Sequence, residues 1–530
     1  MTLASTGTRH DGGGFGAVSR LTLLTAFAVM TGQGVARAED VGASSAQMTA
    51  RADQIAELKA QSAALEKRNT DLVKRLEKLE RQRGAPDPAS LQAHAPGADS
   101  VAALPNGVKD VIAGDGPLTW HGLTLYGSVQ AGLAYLTHGA PFSGFAASSY
   151  PYLISKYSNR PVFGFAGNNY GNTYLGLKGE TEIIPGWSAF FNLQSYFDSG
   201  SGQLSDGLKS LQLQNGVPLK NQSANSDTSL AGQPFNAAAF VGVSSTTFGK
   251  LTFGRQNALT ADNMIKYDPM RTGNGFSVFG YAGSYSAIGA TEDRRWDMAT
   301  KYQVSAGPAR FAAMVKQGDY AGANPAYQIG GGASYEGFSF DAYFGHYADA
   351  ILSSSLTSVQ LKTLPADSLA GTVADTQGAQ IGASYTWKDF VIFGGYEQIH
   401  FSNPSNRLSP GISTIGGYVL SAINNAAYPH QRIVQAGWTG LRYSYSKDLE
   451  FDAAYYSVTQ NSYGVAYCRN TSAITCAGWL QAYSLLADYR LSKRFDVYGG
   501  LFYSVYGGGM ASGSLYKNNF MPQAGMRYTF

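Results

Sequence analysis

From about residue 118 to the C-terminus, apolar and polar residues alternate with a period of two, in runs of about ten residues. Between 123 and 135, one face carries Leu123, Leu125, Val129, Ala131, Leu133 and Tyr135, and the other carries Thr124, Tyr126, Ser128, Gln130 and Gly132. The same split recurs over 187–198 and 495–505, and it reaches the chain end, where Ala524, Met526, Tyr528 and Phe530 oppose Gln523, Gly525, Arg527 and Thr529. Runs of that length match tilted strands that cross a bilayer. Short turns such as Ile184-Pro185-Gly186, Ser305-Ala306-Gly307-Pro308, Tyr335-Glu336-Gly337 and Ser492-Lys493-Arg494 alternate with long polar connections near 140–171, 199–234, 256–293, 347–375, 402–430 and 459–480. The pattern predicts an all-β chain, a transmembrane antiparallel β-barrel with short turns at one end and long loops at the other. A soluble β-sandwich would alternate in the same way. Strand length, aromatic content, an export signal and the terminal Phe530 favour the barrel.

Composition supports that choice. There are 64 glycines and 67 aromatic residues in 530, while charged residues are only 14% against a usual ~25%. A helical soluble enzyme does not carry so much Gly with so little Glu and Lys. Net charge is +3; Arg9, Arg20, Arg37 and Asp11 of the leader supply +2 of it, so the remainder has no basic character suited to nucleic acid. The longest strongly apolar stretch, Leu21–Met30, is too short for a spanning helix.

Residues 1–38 read as a secretory signal: Arg9 and Arg20, the apolar core, then an Ala36-Arg37-Ala38 cleavage site. Residues 39–83 form a coiled-coil segment. Leu58, Leu65, Leu72 and Leu79 fall at successive d positions, with Asn69 and Leu76 at a. This narrow seam predicts self-association as a parallel bundle. Residues 84–117, with Pro86, Pro88, Pro96 and Pro105, are a linker, and 118–530 is the barrel.

Within the barrel region, Leu123-Thr124-Leu125-Tyr126-Gly127, Leu175 to Glu180 followed by Gly186 to Gln194, Phe248 to Gln256, Ala487 to Arg494, and Gly525 to Phe530 occur in one order that ends at the chain terminus. In that order they resemble the Gram-negative general porin family. The resemblance implies a trimeric barrel of sixteen strands in the outer membrane, passing small hydrophilic solutes without a cofactor. It also implies that the aromatic end, Phe530 with Tyr528, is read by the barrel-assembly machinery, and that the third loop, about 257–293, folds into the lumen. Two departures stand out: the family's Arg after Phe-Asn is Ala237, and the coiled coil precedes the family's core pattern.

No enzyme signature is present: no H-E-x-x-H, no G-x-S-x-G and no Walker A loop. The seven histidines are scattered. The candidate site is a charged constriction of Arg295, Lys301, Arg255, Asp268 and Asp297. By strand parity Arg295, Asp297, Lys301 and Gln303 share one face, which must look into water because Lys or Arg on the lipid side costs ~2–4 kcal/mol at mid-membrane. Parity groups Arg255 with Leu251 and Phe253, and a bulge at Gly254 would turn it inward; both orientations stand open. Cys468 and Cys476 are expected to pair within one outer loop, because export passes through an oxidising compartment. The expected function is passive diffusion with at most weak anion preference. The alternatives are a channel selective for carboxylates or sugars, and a barrel-anchored envelope tether acting through the coiled coil.

Overall fold

A computed structural model describes residues 118–145, 160–223, 229–279, 294–317 and 325–530, and, in a separate N-terminal unit, the six helical positions 60, 63, 67, 70, 71 and 74. Those six are exposed and lie off the leucine seam. Leu58, Leu65, Asn69, Leu72, Leu76 and Leu79, like the signal segment and linker, lie outside the described residues.

Twenty strands follow. They are β1 (Leu118–Trp120), β2 (Leu123–Gly139), β3 (Arg160–Phe165), β4 (Thr173–Ile184), β5 (Trp187–Phe197), β6 (Ala238–Ser245), β7 (Gly249–Asn257), β8 (Arg295–Ala306), β9 (Ala309–Lys316) and β10 (Ala326–Tyr335). The rest are β11 (Phe338–Ser354), β12 (Leu369–Trp387), β13 (Phe390–Ser402), β14 (Ile412–Ile415), β15 (Tyr418–Asn424), β16 (Arg432–Ser444), β17 (Leu449–Gln460), β18 (Gly478–Arg490), β19 (Phe495–Gly508) and β20 (Asn518–Thr529). Sixteen of them form the wall: β2, β4 to β13 and β16 to β20, each antiparallel to the next. The ring closes where β20 pairs with β2, from Ser128↔Thr529 to Ala134↔Gln523. The Phe530 N–H donates to Gly127 O and the Gly127 N–H to Phe530 O, both at 3.0 Å, so the last residue forms the final rung. β3 extends the β4 position along the upper half of β2. The β14–β15 hairpin lies in the loop 403–431, and β15 pairs with the start of β12.

Closure satisfies every wall strand on both edges, as lipid requires. Side-chain burial runs opposite to that of a soluble protein: Val129 is 45% exposed while its neighbours Ser128 and Gln130 are 3% and 2% exposed. Leu133, Val241, Phe253, Val315, Ile381 and Leu485 are likewise exposed on the outer face, and Gln380, Asp341 and Asp452 are buried on the inner one. A sandwich would hide the first set, so this inversion decides against it. Two-residue turns such as Pro185-Gly186 and Lys388-Asp389 join strands at one end, and long connections join them at the other. Two connections at that second end, 317–325 and 509–517, escape the sequence reading because they are short and lack a long polar run.

Candidate lumen constriction

The loop after β7 does not stay at the rim. It starts with the helix Leu259–Tyr267, here α2 (α1 is Gly207–Gln212, below). α2 packs against β9 to β13 from inside. Asn263 donates to Gln380 of β12 at 2.6 Å, and Lys266 pairs with Asp341 of β11 at 2.7 Å. Beyond α2 the chain continues along the inner wall. The Trp438 indole of β16 donates to Tyr267 O at 3.0 Å, and Arg442 donates to the carbonyls of Pro269 and Asp268 at 2.7 and 2.8 Å. Arg271 pairs with Asp452 of β17 at 2.8 Å and also with Glu450. Gln523 of β20 donates to Gly275 O. Met264, Met270, Phe276, Val278 and Phe279 are buried against Trp438, Tyr456, Tyr498 and Phe502. This apolar packing lies inside the barrel. It holds residues 258–279 against the wall from β9 round to β20 and narrows the lumen to the side walled by β4 to β8.

Asp268 sits in that packing with no exposure, accepting from the Tyr456 hydroxyl and the Thr272 N–H, each at 2.6 Å. Burial pushes its carboxyl above the usual carboxylate range, against the opposing effect of hydrogen bonds from Tyr456, Ser277 and Thr272. Its bond to Tyr456 ties the loop to β17.

The remaining candidates fall into two groups. Arg255 is buried: its Nη1 pairs with Asp297 at 2.8 Å, its Nε donates to Asn236 O at 2.8 Å, and it also donates to Ser229 O. Arg295 reaches the same Ser229 through its hydroxyl at 3.2 Å, with its guanidinium 4.8 Å from the Tyr196 ring centroid. The three thus gather at the base of the loop 198–237. Lys301 stands apart, donating to Asp262 of α2 at 2.6 Å and to Asn257 O at 2.9 Å. Unbroken parity over 295–303 does not hold. Met298 adopts φ 50°, and the β7–β8 register shifts between Gly254 and Gln256. Trp296 and Lys301 both meet the α2 segment although they are five positions apart, which strict alternation would put on opposite faces. Gly254 has φ +123°, so the bulge is built on the backbone freedom of that glycine.

The loop 198–237 makes a second inward excursion. α1 opens on Asp206, whose carboxylate accepts from the Lys209 N–H at 2.8 Å. Leu208 and Leu211 pack with Ile351, Leu369 and Leu420, and Tyr418 donates to Asp206 at 2.8 Å. β5 is third in the ring while β11 and β12 are ninth and tenth, so the loop crosses to the opposite rim. Cys468 and Cys476 are joined in the loop 461–477.

Charge is distributed unevenly. On the far wall five acids have a cation: Asp341 has Arg310 and Lys266, Glu450 and Asp452 have Arg271, and Asp488 and Asp496 have Arg527; Glu397 of β13 is buried beside the Gln380 amide instead. On the near wall a recess of about 310 Å³ is lined by Lys250, Lys301, Asp262, amide side chains, Phe190, Phe240 and Tyr196. Lys301 is met by Asp262. Among the described residues, Lys250 has no carboxylate at ion-pair distance, which leaves one positive charge. Sequence reading missed Lys250, Asp262 and Arg271. Lys250 shares parity with Thr252 and Gln256 and was within its reach; Asp262 and Arg271 needed the path of the loop.

A model of the Gram-negative porins matches residues 93–508, most of the chain. The chain belongs to the Gram-negative porin family. This porin is 26% identical, over 181 residues, to an outer membrane porin protein of Bordetella pertussis; the match covers 34% of this chain and 38% of the relative, so the chain spans well under half the length of that relative. Its fold matches that of an anion-selective porin from Comamonas acidovorans with a TM-score of 0.50 at 15% identity, covering 77% of this chain and 99% of the other. A structure of OmpT from Vibrio cholerae is similar at a TM-score of 0.48 and 14% identity, covering 78% and 100%. Family and barrel together place the chain in the outer membrane as a multi-pass protein.

Proposed function

We propose that this porin forms a water-filled channel through which small hydrophilic solutes and ions diffuse down their gradients, with a weak preference for anions. The observation that carries the reading is residues 258–279 held inside the lumen opposite a wall with an excess cation. A fixed charge in a narrow passage with low-dielectric walls focuses its field on passing ions. An uncompensated lysine in the recess, in a lumen whose acids are mostly paired, biases the passage without closing it to cations. No cofactor enters this reading. The working unit is a homotrimer, inserted by the barrel-assembly machinery, with residues 39–83 on the periplasmic side once 1–38 are removed. Arg255, Arg295 and Asp297 act as a rim cluster, and Lys301 with Asp262 belongs to the constriction itself.

The test is purified, heat-modifiable protein in planar bilayers. Stepwise conductance should appear, and a KCl gradient should give a small reversal potential of anion-selective sign. Folded protein that adds no conductance would refute the channel, and a cation-selective sign would refute the charge assignment.

A further inference from the structure

The near-wall recess carries more chemistry than a diffusion path needs. We propose that it is a binding subsite for a sugar acid, a pyranose ring bearing a single carboxylate. The proposal rests on the channel reading and specifies what that channel holds.

Three features converge. The first is charge: Lys250 opens on the recess and lacks an ion-pair partner among the described residues, whereas Lys301 is matched by Asp262. One free cation suits a monoanion; a phosphate calls for several. The second is hydrogen bonding. Asn192, Gln194, Gln256 and Gln303 line the same recess. Gln256 is taken up by Thr252, Gly254 and Ala299, and the Asn192 oxygen by Tyr126; Gln194 and Gln303 both donate and accept, as the hydroxyls of a sugar do, and an alkyl carboxylate would leave them unused. The third is a set of aromatic faces. The Phe190 ring lies across Gly242, where a Cβ would come within 2.8 Å of it, so the glycine lets the ring lie against the wall and present a face. Tyr126 lies across Gly176 in the same way and donates to Asn192 at 2.5 Å. Tyr126, Tyr174 and Tyr196 stand side by side on β2, β4 and β5, with centroids 6.0 and 6.2 Å apart, and this row ends in the recess. Flat rings accept the apolar C–H face of a pyranose while the amides take its edge. Lys250 Nζ lies 5.9 Å from the Phe190 centroid, so ring and charge serve one ligand. The volume, about 310 Å³, is at the small end of ligand pockets, roughly 300–1,000 Å³.

The experiment uses the full protein in planar bilayers, with D-glucuronate, D-glucose and lactate added separately at constant KCl. Glucuronate should interrupt the current at a concentration about tenfold below that of either other solute, the margin of one charge-assisted hydrogen bond. Lys250→Gln should bring glucuronate to the level of glucose. Phe190→Leu should weaken block by both sugars and not by lactate. Equal block by glucuronate and lactate would overturn the proposal, since charge alone would explain it. Glucuronate no better than glucose, or no block in a conducting channel, would overturn it while the channel reading survives. Folded protein without conductance would overturn both.

Discussion

Arg271 offers a direct test of what keeps the inner loop in place. Its guanidinium, one-third exposed, joins Asp452 and Glu450 of β17, and the Asp452 side chain is only 1% exposed. It also donates to the Tyr170 hydroxyl at 2.9 Å. Arg271→Met keeps most of the side-chain length and removes the charge, so Asp452 stays buried without its cation. Breaking a buried pair on one side costs about 3–5 kcal/mol. The partial exposure of Arg271 and the nearby Arg442 place the expected loss at the lower end, about 3 kcal/mol. That lowers the ratio of held to released loop by roughly a hundredfold, at ~1.4 kcal/mol per factor of ten. In single-channel recordings the variant should flicker and close at lower voltage than the wild type, and its heat-modifiable band should convert at a lower temperature. Arg271→Met with Asp452→Asn should recover part of the loss, because the stranded charge is then gone. A single variant as quiet and heat-stable as the wild type would refute this account of the anchor. A double variant no better than the single would show that packing of Met270 and Phe276, rather than charge, holds the loop.

Other expectations follow from the same geometry. Lys250→Gln should shift the reversal potential in a KCl gradient towards cations more than Arg295→Gln does, since Arg295 is buried on Ser229 and Tyr196; the shift should shrink at 1 M salt, where the Debye length is ~3 Å, and a larger effect from Arg295 would reverse the assignment. Gly254→Ala should lower the yield of folded barrel: a side chain at φ +123° is strained by about 1–3 kcal/mol and its Cβ would strike Ala239 O. An unchanged heat-modifiable band would show that the β7 bulge tolerates a Cβ. Deleting Phe530 removes both hydrogen bonds to Gly127 and should reduce folded protein in outer-membrane fractions; normal amounts would mean that closure is complete without the last rung. Cys468→Ser with Cys476→Ser should cost less than about 3 kcal/mol, because the closed loop is short, and thiol labelling of the unreduced, denatured wild type should detect no free cysteine.

The period-two alternation was enough to establish strands, their inner and outer faces, and the short-turn and long-loop ends. Each strand meets lipid on one side and water or packed side chains on the other, so every second residue records its solvent independently of its neighbours. Residue order also carried the family, through blocks such as Phe248 to Gln256 and the terminal Gly525 to Phe530. Lys301 was legible as an inward charge because a lysine has few other places to go on a lipid-facing wall. Tertiary structure alone decided the rest. Met298 and Gly254 break the register, so Trp296 turns to the inner helix on the same side as Lys301, where strict counting puts the two on opposite faces. Asp268 becomes an anchor only because the loop carries it to Tyr456, 188 residues away. The tyrosine row is invisible along the chain, since Tyr126, Tyr174 and Tyr196 come from three strands and meet only in the lateral register. Local alternation is a property of one strand and its solvent, whereas the constriction is a property of strand register and loop path, which depend on contacts distant in sequence.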